Sequence, residues 1–454
     1  MSRVDELQKK YPNLPREIVV KWEVLVRGVK DTSTLDKVSY WTRGGSYQSR
    51  DLDISLKEIA AKREGEGRPG YVARPKPLHM KNGIGANIRR GTRTPYEIRD
   101  ESEGKFALYE GDEKVEDVYF PSPRGWGEEM VTSRGTPVTS LVEVKSHCFS
   151  IQPIRFCEYF VRGEQCKFCN YNSTYDDARS AGTSIPVTIN LEDTVEAYKM
   201  LASEIRFIEG SWQSGALTAS EKEAATQIKF VEAIANAAPH KPIMRMSVPP
   251  LGRKDLQRLH DAGLTCFETN IEVWGAEIFA GVCPGKNKYK GFERYKETFQ
   301  EAVDIYGVGN VCCNFVAGVS MMPENGHKTW QESRDSMIEG FRWLTKNGAF
   351  PFFIALRLGV GSPYGDDKSN WDKLPPMEYY LDSAIAHHEL MTEYGYYDRL
   401  NRLMLCPLCP LTNGYNGEIG MLELAGDIGS WAAPAMPEEA NWLARFIDSV
   451  KDDA

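Results

Sequence analysis

From about residue 139 onward, short apolar runs rich in β-branched residues alternate with amphipathic stretches. Runs at 140–151 (SLVEVKSHCFSI), 204–210 (EIRFIEG), 242–249 (PIMRMSVP), 265–273 (TCFETNIEV), 310–320 (NVCCNFVAGVS) and 351–359 (PFFIALRLG) predict strands. Stretches at 190–204, 220–238, 253–263, 291–307 and 330–348 lie between them and predict helices. Six strands alternating with helices form parallel β-α units, and the architecture that fits them best is a full or partial TIM-type (β/α) barrel. Upstream, a helical start at 15–30 gives way to Gly/Pro/Arg-rich text at 62–95 with little periodicity, so residues 1–139 read as an irregular N-terminal cap region. The barrel is assigned to 140–365 and a C-terminal extension, with a helix near 375–395, to 366–454. No repeat of solenoid length and no low-complexity tract interrupts this order.

Composition narrows the function classes. The 454 residues are 41% hydrophobic and 26% charged, as in a globular chain, and the formal net charge is −9. That balance argues against a large footprint on a phosphate backbone, so nucleic acid is not an expected partner. The N-terminus is charged from its first residues and lacks a signal peptide's apolar core, and no run reaches about 18 apolar residues. The expectation is a soluble cytoplasmic protein with no membrane partner. Ten cysteines, at 148, 157, 166, 169, 266, 283, 312, 313, 406 and 409, are too few and too irregular for a secreted disulfide framework.

Three of them crowd into CEYFVRGEQCKFC: Cys157, Cys166 and Cys169, with eight and then two residues between them. The loop follows the first predicted strand, where a barrel carries its active-site loops. Soft thiolates favour zinc or an iron–sulfur cluster. Structural zinc normally takes four ligands, and CPLC at 406–409 could complete such a set; three thiolates on a four-iron cluster instead leave one iron open to an incoming molecule.

With its CKFC half and Phe168 before the last cysteine, the trio resembles the radical S-adenosylmethionine (radical SAM) superfamily, with a biotin-synthase-like barrel. The eight-residue first gap departs from the usual three and bears on subfamily. Later segments are similar to the family's motifs in order and spacing. FIEGSWQSG resembles the motif that binds the methionine amino group, which implies Glu209, Gly210 and Ser211. FETNIEVW resembles the strand whose Asn and acidic residue hold the ribose, which implies Asn270 and Glu272. NFVAGVSMMPENG and IALRLGVGSPYG resemble the adenine-contacting strands, which implies Val316, Gly318, Val319, Leu358 and Gly359.

The resemblance implies a [4Fe–4S] cluster on Cys157, Cys166 and Cys169, and SAM as cofactor. It further implies reductive cleavage of SAM to a 5′-deoxyadenosyl radical, and hydrogen abstraction from a small organic substrate in a biosynthetic pathway. A one-electron reductant such as flavodoxin or ferredoxin is the implied protein partner, and oxygen sensitivity follows from the cluster. No residue is assigned a catalytic role. Aminocarboxypropyl transfer from SAM and a zinc-stabilised RNA-modification or binding scaffold are the alternatives.

Other features keep two readings each. Cys406 and Cys409 are candidates for an additional metal, with His387 or His388 as helpers, or for a structural turn. Cys312 and Cys313 read as core thiols. His147 and Cys148 stand at the exit of the first predicted strand without an assigned role. Lys286, Lys288 and Lys290 after Gly285 read as solvated lysines or an anion-binding turn.

Overall fold

The structure is a computed structural model that describes residues 1–42, 71–73, 77–80, 85–91, 94–102, 104–120, 127, 129–145, 148–171, 188–205, 207, 209–239 and 241–396. The N-terminal part opens with helices Arg3–Lys10 and Arg16–Arg27. Two short antiparallel pairs follow, β1 (Tyr40–Thr42) with β2 (Tyr71–Ala73) and β3 (Pro77–His79) with β4 (Gly85–Asn87). A three-stranded meander comes next, of β5 (Tyr96–Ser102), β6 (Lys105–Glu110) and β7 (Glu113–Val118). The region expected to be irregular thus holds a small sheet. Tyr96, Ile98, Phe106, Ala107, Leu108, Val115 and Val118 of its strands are buried.

The main sheet contains β8 (Val142–Lys145), β9 (Cys148–Ile151), β10 (Glu209–Gln213), β11 (Ile243–Ser247), β12 (Cys266–Glu268), β13 (Val311–Ala317) and β14 (Phe350–Ala355), ordered β14-β13-β12-β11-β10-β9-β8. From β9 to β14 every neighbour is parallel, and sequence order equals spatial order. Helices Leu191–Ala202, Ser220–Ala237, Arg253–Asp261, Phe292–Tyr306 and Trp330–Lys346 return the chain between strands. This is a partial (β/α) barrel of six parallel strands. Local chemistry starts its helices: Asn190 Oδ1 accepts from the Asp193 amide at 2.9 Å, and Thr329 and Glu332 form a reciprocal capping box.

Two strand expectations change. The run at 140–151 folds as the antiparallel pair β8–β9. The second parallel strand starts at Glu209, five residues after the predicted start at 204, which moves the polar positions of EGSWQ onto it.

The register separates two faces. Phe149, Trp212, Met244, Met246, Phe267, Phe315 and Phe353 are buried toward the helices. Gly210 is on that side: a Cβ there would lie 2.1 Å from the Phe149 ring, which itself packs on Tyr198 and Trp212 with centroids 4.9 and 5.4 Å away. The flanking regions share this core. Trp22 of the helix Arg16–Arg27 stacks on Phe353 at 5.2 Å and on Tyr380 of the helix Met377–Glu393 at 5.6 Å. Buried Arg89 donates to the Ala355 carbonyl at 3.1 Å.

Gly210→Ala is expected to lower stability by roughly 1–3 kcal/mol through overpacking against Phe149. A urea midpoint equal to that of the native chain would contradict this packing.

Candidate active site

The opposite face of the parallel strands is polar at alternate positions. Cross-strand register aligns Ser211 with Arg245, Ser247 with Glu268, and Glu268 with Cys312. At the C-terminal ends of the strands this face opens into a cavity of about 410 Å³. Gln213, Arg245, Ser247, Glu268, Asn314, Val316, Phe352 and Ile354 form its strand-borne wall.

The loop of residues 157–169 forms the rim. Cys157, Cys166, Phe168 and Cys169 all line the cavity. Three segments hold the loop from outside. The Glu158 amide donates to Ala216 O at 2.9 Å, the Lys167 amide to Val282 O at 2.9 Å, and the Tyr364 amide to Lys167 O at 2.9 Å. Burial pushes the Cys157 thiol up to about 11. Cys166 is pulled below the usual thiol range by the thiol of Cys283, with Lys286 adding to the effect. Among the described residues no three His, Cys, Asp or Glu side chains gather as a single metal ion would require. Three thiols of one loop on a common cavity fit the donor chemistry of an iron–sulfur cluster, which spreads its thiolates around a cube.

Charged groups in the cavity are paired. Arg245 Nε stands 3.3 Å from Glu209 Oε1, and its Nη1 stands 3.6 Å from Glu268 Oε2. Asn270 Nδ2 donates to Glu268 Oε1 at 3.0 Å and to Ser247 Oγ at 3.1 Å, and Asn270 Oδ1 accepts from the Asn314 amide at 2.8 Å. Lys286 Nζ donates to Glu272 Oε1 at 2.5 Å and to the Asn270 carbonyl at 2.7 Å. Burial pulls the Lys286 ammonium down, but Glu272, Tyr295, Cys166 and Cys283 together outweigh it and hold the pKa well above the usual lysine value. Burial raises the Glu272 carboxyl against the pull of that lysine.

Asn270 and Glu272 were expected on the fourth strand, alternating to one face. The strand ends at Glu268, and Glu272 has a left-handed φ of 67°. The Glu272 amide still donates to Asn314 O at 3.2 Å, so the chain rejoins β13 after an irregular step. Both side chains reach the cavity by this route. A non-glycine residue held at positive φ is a strained position of the kind found at functional sites.

The remaining sequence-expected residues divide. Phe168, Val316 and Gly359 line the cavity, and a Cβ on Gly359 would lie 2.8 Å from Asn170 Nδ2 of the cysteine loop. Glu209 is on the inner face but deeper, against Arg245, and Ser211 Oγ faces Phe149 O at 3.5 Å. Gly210 points toward the helices. Gly318 donates its amide to Tyr379 Oη at 3.0 Å, and Val319 and Leu358 are buried away from the cavity lining.

Arg245, Gln213, Lys286, Asn314 and Arg357 line the cavity and were given no role from sequence, apart from the two readings kept for Lys286. Arg245 and Gln213 carried a signal, since polar residues at every second position of a parallel strand buried on both faces mark an inward polar surface. Lys286 is not a solvated lysine; Lys288 pairs with Glu164, and Lys290 with Ser220. Buried His387 bonds the Pro351 carbonyl at 2.6 Å, and Cys312 and Cys313 are fully buried. Cys406, Cys409 and His147 lie outside the described residues, and the described residues contain no helix long and apolar enough to cross a membrane.

No protein-family model matches the chain. The bacteriochlorophyllide c C-7(1)-hydroxylase of Chlorobaculum limnaeum is similar at 25% identity over 114 residues, which is 25% of this chain and 26% of that protein. The chain therefore matches about a quarter of that relative's length. Among solved structures, methylornithine synthase overlaps 61% of this chain and 71% of its own at TM-score 0.38 and 14% identity. Coproporphyrinogen III oxidase from Escherichia coli, described as a radical SAM enzyme, overlaps 57% of this chain and 55% of its own at TM-score 0.38 and 13% identity. TsrM from Kitasatospora setae, a radical SAM methyltransferase, overlaps 47% and 35% at TM-score 0.33 and 15% identity.

Behind the cysteine loop, Glu223 on the helix Ser220–Ala237 is fully buried and accepts from the Leu217 amide at 3.2 Å. Burial pushes its carboxyl up to about 8, and burial likewise lowers Lys290 beside it. The folded chain therefore keeps a proton that the unfolded chain has released, so this site's contribution to stability falls as pH rises from about 4.5 through about 8. Glu223→Gln is neutral throughout and is expected to outlast the native chain above pH 8, by up to about 5 kcal/mol, with little difference near pH 4. Parallel urea curves across the whole range would contradict it.

Proposed function

We propose that this chain is a radical SAM enzyme that acts on a small organic substrate in a biosynthetic pathway. The observation that carries the reading is the three-thiol loop at the mouth of a partial barrel, open to a cavity that Asn270 and Glu272 also line. Cys157, Cys166 and Cys169 would hold a [4Fe–4S] cluster. With SAM bound, that cluster supplies one-electron cleavage of a sulfonium carbon–sulfur bond and hydrogen abstraction from an unactivated carbon.

The chain's own residues bind and shield. Asn270 and Glu272 present an amide and a carboxylate to the ribose hydroxyls, with Lys286 fixing Glu272. Val316 and the Gly359 backbone flank the adenine, and Phe168 covers the loop. Phe352 and Ile354 form an apolar wall that keeps water from the reacting carbon. Glu209 is committed to Arg245, so the methionine amino group is left to the open iron and to neighbouring backbone. The electron comes from a reductant of the flavodoxin or ferredoxin kind.

Anaerobic reconstitution with iron and sulfide, followed by dithionite and SAM, is expected to yield 5′-deoxyadenosine. Cys166→Ala and Cys169→Ala are expected to reduce that yield at least 100-fold and to lose iron. Methylthioadenosine in its place would indicate aminocarboxypropyl transfer. A zinc-bearing, iron-free protein would return the cysteines to a structural role.

A further inference from the structure

We infer that the outer face of the cysteine loop, built on Val161, Arg162, Lys288 and Tyr289, is where a small acidic one-electron carrier protein docks. This rests on the proposed cluster, which needs one electron from outside the chain.

Exposed apolar groups mark the face. Among the described residues, apart from Met1, the two most exposed large hydrophobics are Val161 at 81% and Val360 at 56%. A single exposed valine is ordinary. Both of these, however, border the cysteine loop. Val161 ends the helical turn Glu158–Val161 that Cys157 caps, so its backbone lies about 6 Å along that turn from Cys157. The Val360 carbonyl accepts at 3.4 Å from Nδ2 of Asn170, the residue after Cys169. Neither valine lines the cavity, so both belong to the loop's outside.

Cations surround them. Arg162 and Lys288 are exposed; Arg162 Cζ stands 5.8 Å and Lys288 Nζ 5.3 Å from the centre of the Tyr289 ring. Tyr289 stacks on Tyr159 with centroids 5.5 Å and planes 4° apart, and Tyr159 lines the cavity. Two rings in contact therefore lead from the cationic outer face to the cavity side of the loop. Residues 157–171 and 284–290 together hold five Lys or Arg against two Glu, in a chain of net charge −9. Even with Lys286 turned inward to Glu272, the face keeps a positive excess.

The face is also preformed. The Lys167 amide donates to Val282 O at 2.9 Å and the Gly285 amide to Glu164 O at 2.8 Å, and a Cβ on Gly285 would lie 2.5 Å from that Glu164 oxygen. An apolar spot with a basic rim complements a carrier whose redox group is ringed by carboxylates, and electron-transfer contacts are among the smallest interfaces. Docked here, the reduced carrier loses one electron, the cluster gains it, and no atom or proton is exchanged.

The test uses the reconstituted full chain, an acidic flavodoxin as carrier, and dithionite as a reductant that needs no docking. Oxidised flavodoxin is expected to bind the native chain, measured by biolayer interferometry, and to bind more weakly as salt is raised. Val161→Asp and Arg162→Glu are each expected to weaken binding about 10-fold and to slow flavodoxin-driven formation of 5′-deoxyadenosine, while dithionite-driven formation stays native. Arg162→Lys, which keeps the charge, is expected to stay close to native in both. Native affinity in both charged variants would overturn the inference, as would a native chain that responds to dithionite but does not bind flavodoxin. Equal losses with dithionite would overturn it by making the face a support for the loop. A native dimer by light scattering that Val161→Asp dissolves would overturn it by assigning the face to a second copy. A native chain that yields no 5′-deoxyadenosine with dithionite would instead sink the proposed function.

Discussion

Arg245 is a charge buried inside a sheet, and the site's layout follows from the need to partner it. Its guanidinium stands 3.3 Å from Glu209 and 3.6 Å from Glu268, on the two strands that flank its own. Taking an ion out of water costs several kcal/mol, so removing one partner costs more than the pair's net worth. Three adjacent strands are therefore locked in a register that turns their alternate polar residues to one side. The complementary positions, from Phe149 to Phe353, meet the helices as a continuous apolar layer. The polar side then opens at the C-terminal rim as the cavity that the cysteine loop borders.

A second ion pair extends this arrangement to the rim. Lys286 reaches Glu272 and the Asn270 carbonyl from the far side, and Asn270 reaches back to Glu268. The interior charges thus form a chain of contacts from Glu209 to Lys286, ending beside Cys166. Strain at Glu272, with φ at 67°, is stored where that chain meets the cavity. Local positions of this kind persist only where the surroundings over-determine them, and here β13 and Lys286 do so.

Much of the barrel was legible in sequence because its signal is periodic. The helices 220–238 and 330–348 and the strand 242–249 appear within a few residues of the expected bounds, since apolar spacing and burial report the same thing. The meander β5–β7 was missed because its strands carry charged residues at many positions, as in EKVEDV. Asn270 and Glu272 were singled out by resemblance, yet their route to the cavity was not foreseen, because a left-handed glutamate has no sequence signature. Lys286 looked like a surface lysine in KNKYK; its burial is decided by Glu272, fourteen residues away. Gly210, expected to supply close backbone to a cofactor, has the position of its missing Cβ facing an aromatic ring, a direction set by one residue's parity on a strand.

The central claim is that the three thiols at this cavity hold a cluster with one open iron. Electron paramagnetic resonance of the anaerobically reconstituted and reduced full chain, recorded before and after adding SAM, addresses it most directly. The account predicts a reduced iron–sulfur signal that changes on SAM addition. A protein holding zinc without iron, or a cluster signal indifferent to SAM, would contradict it.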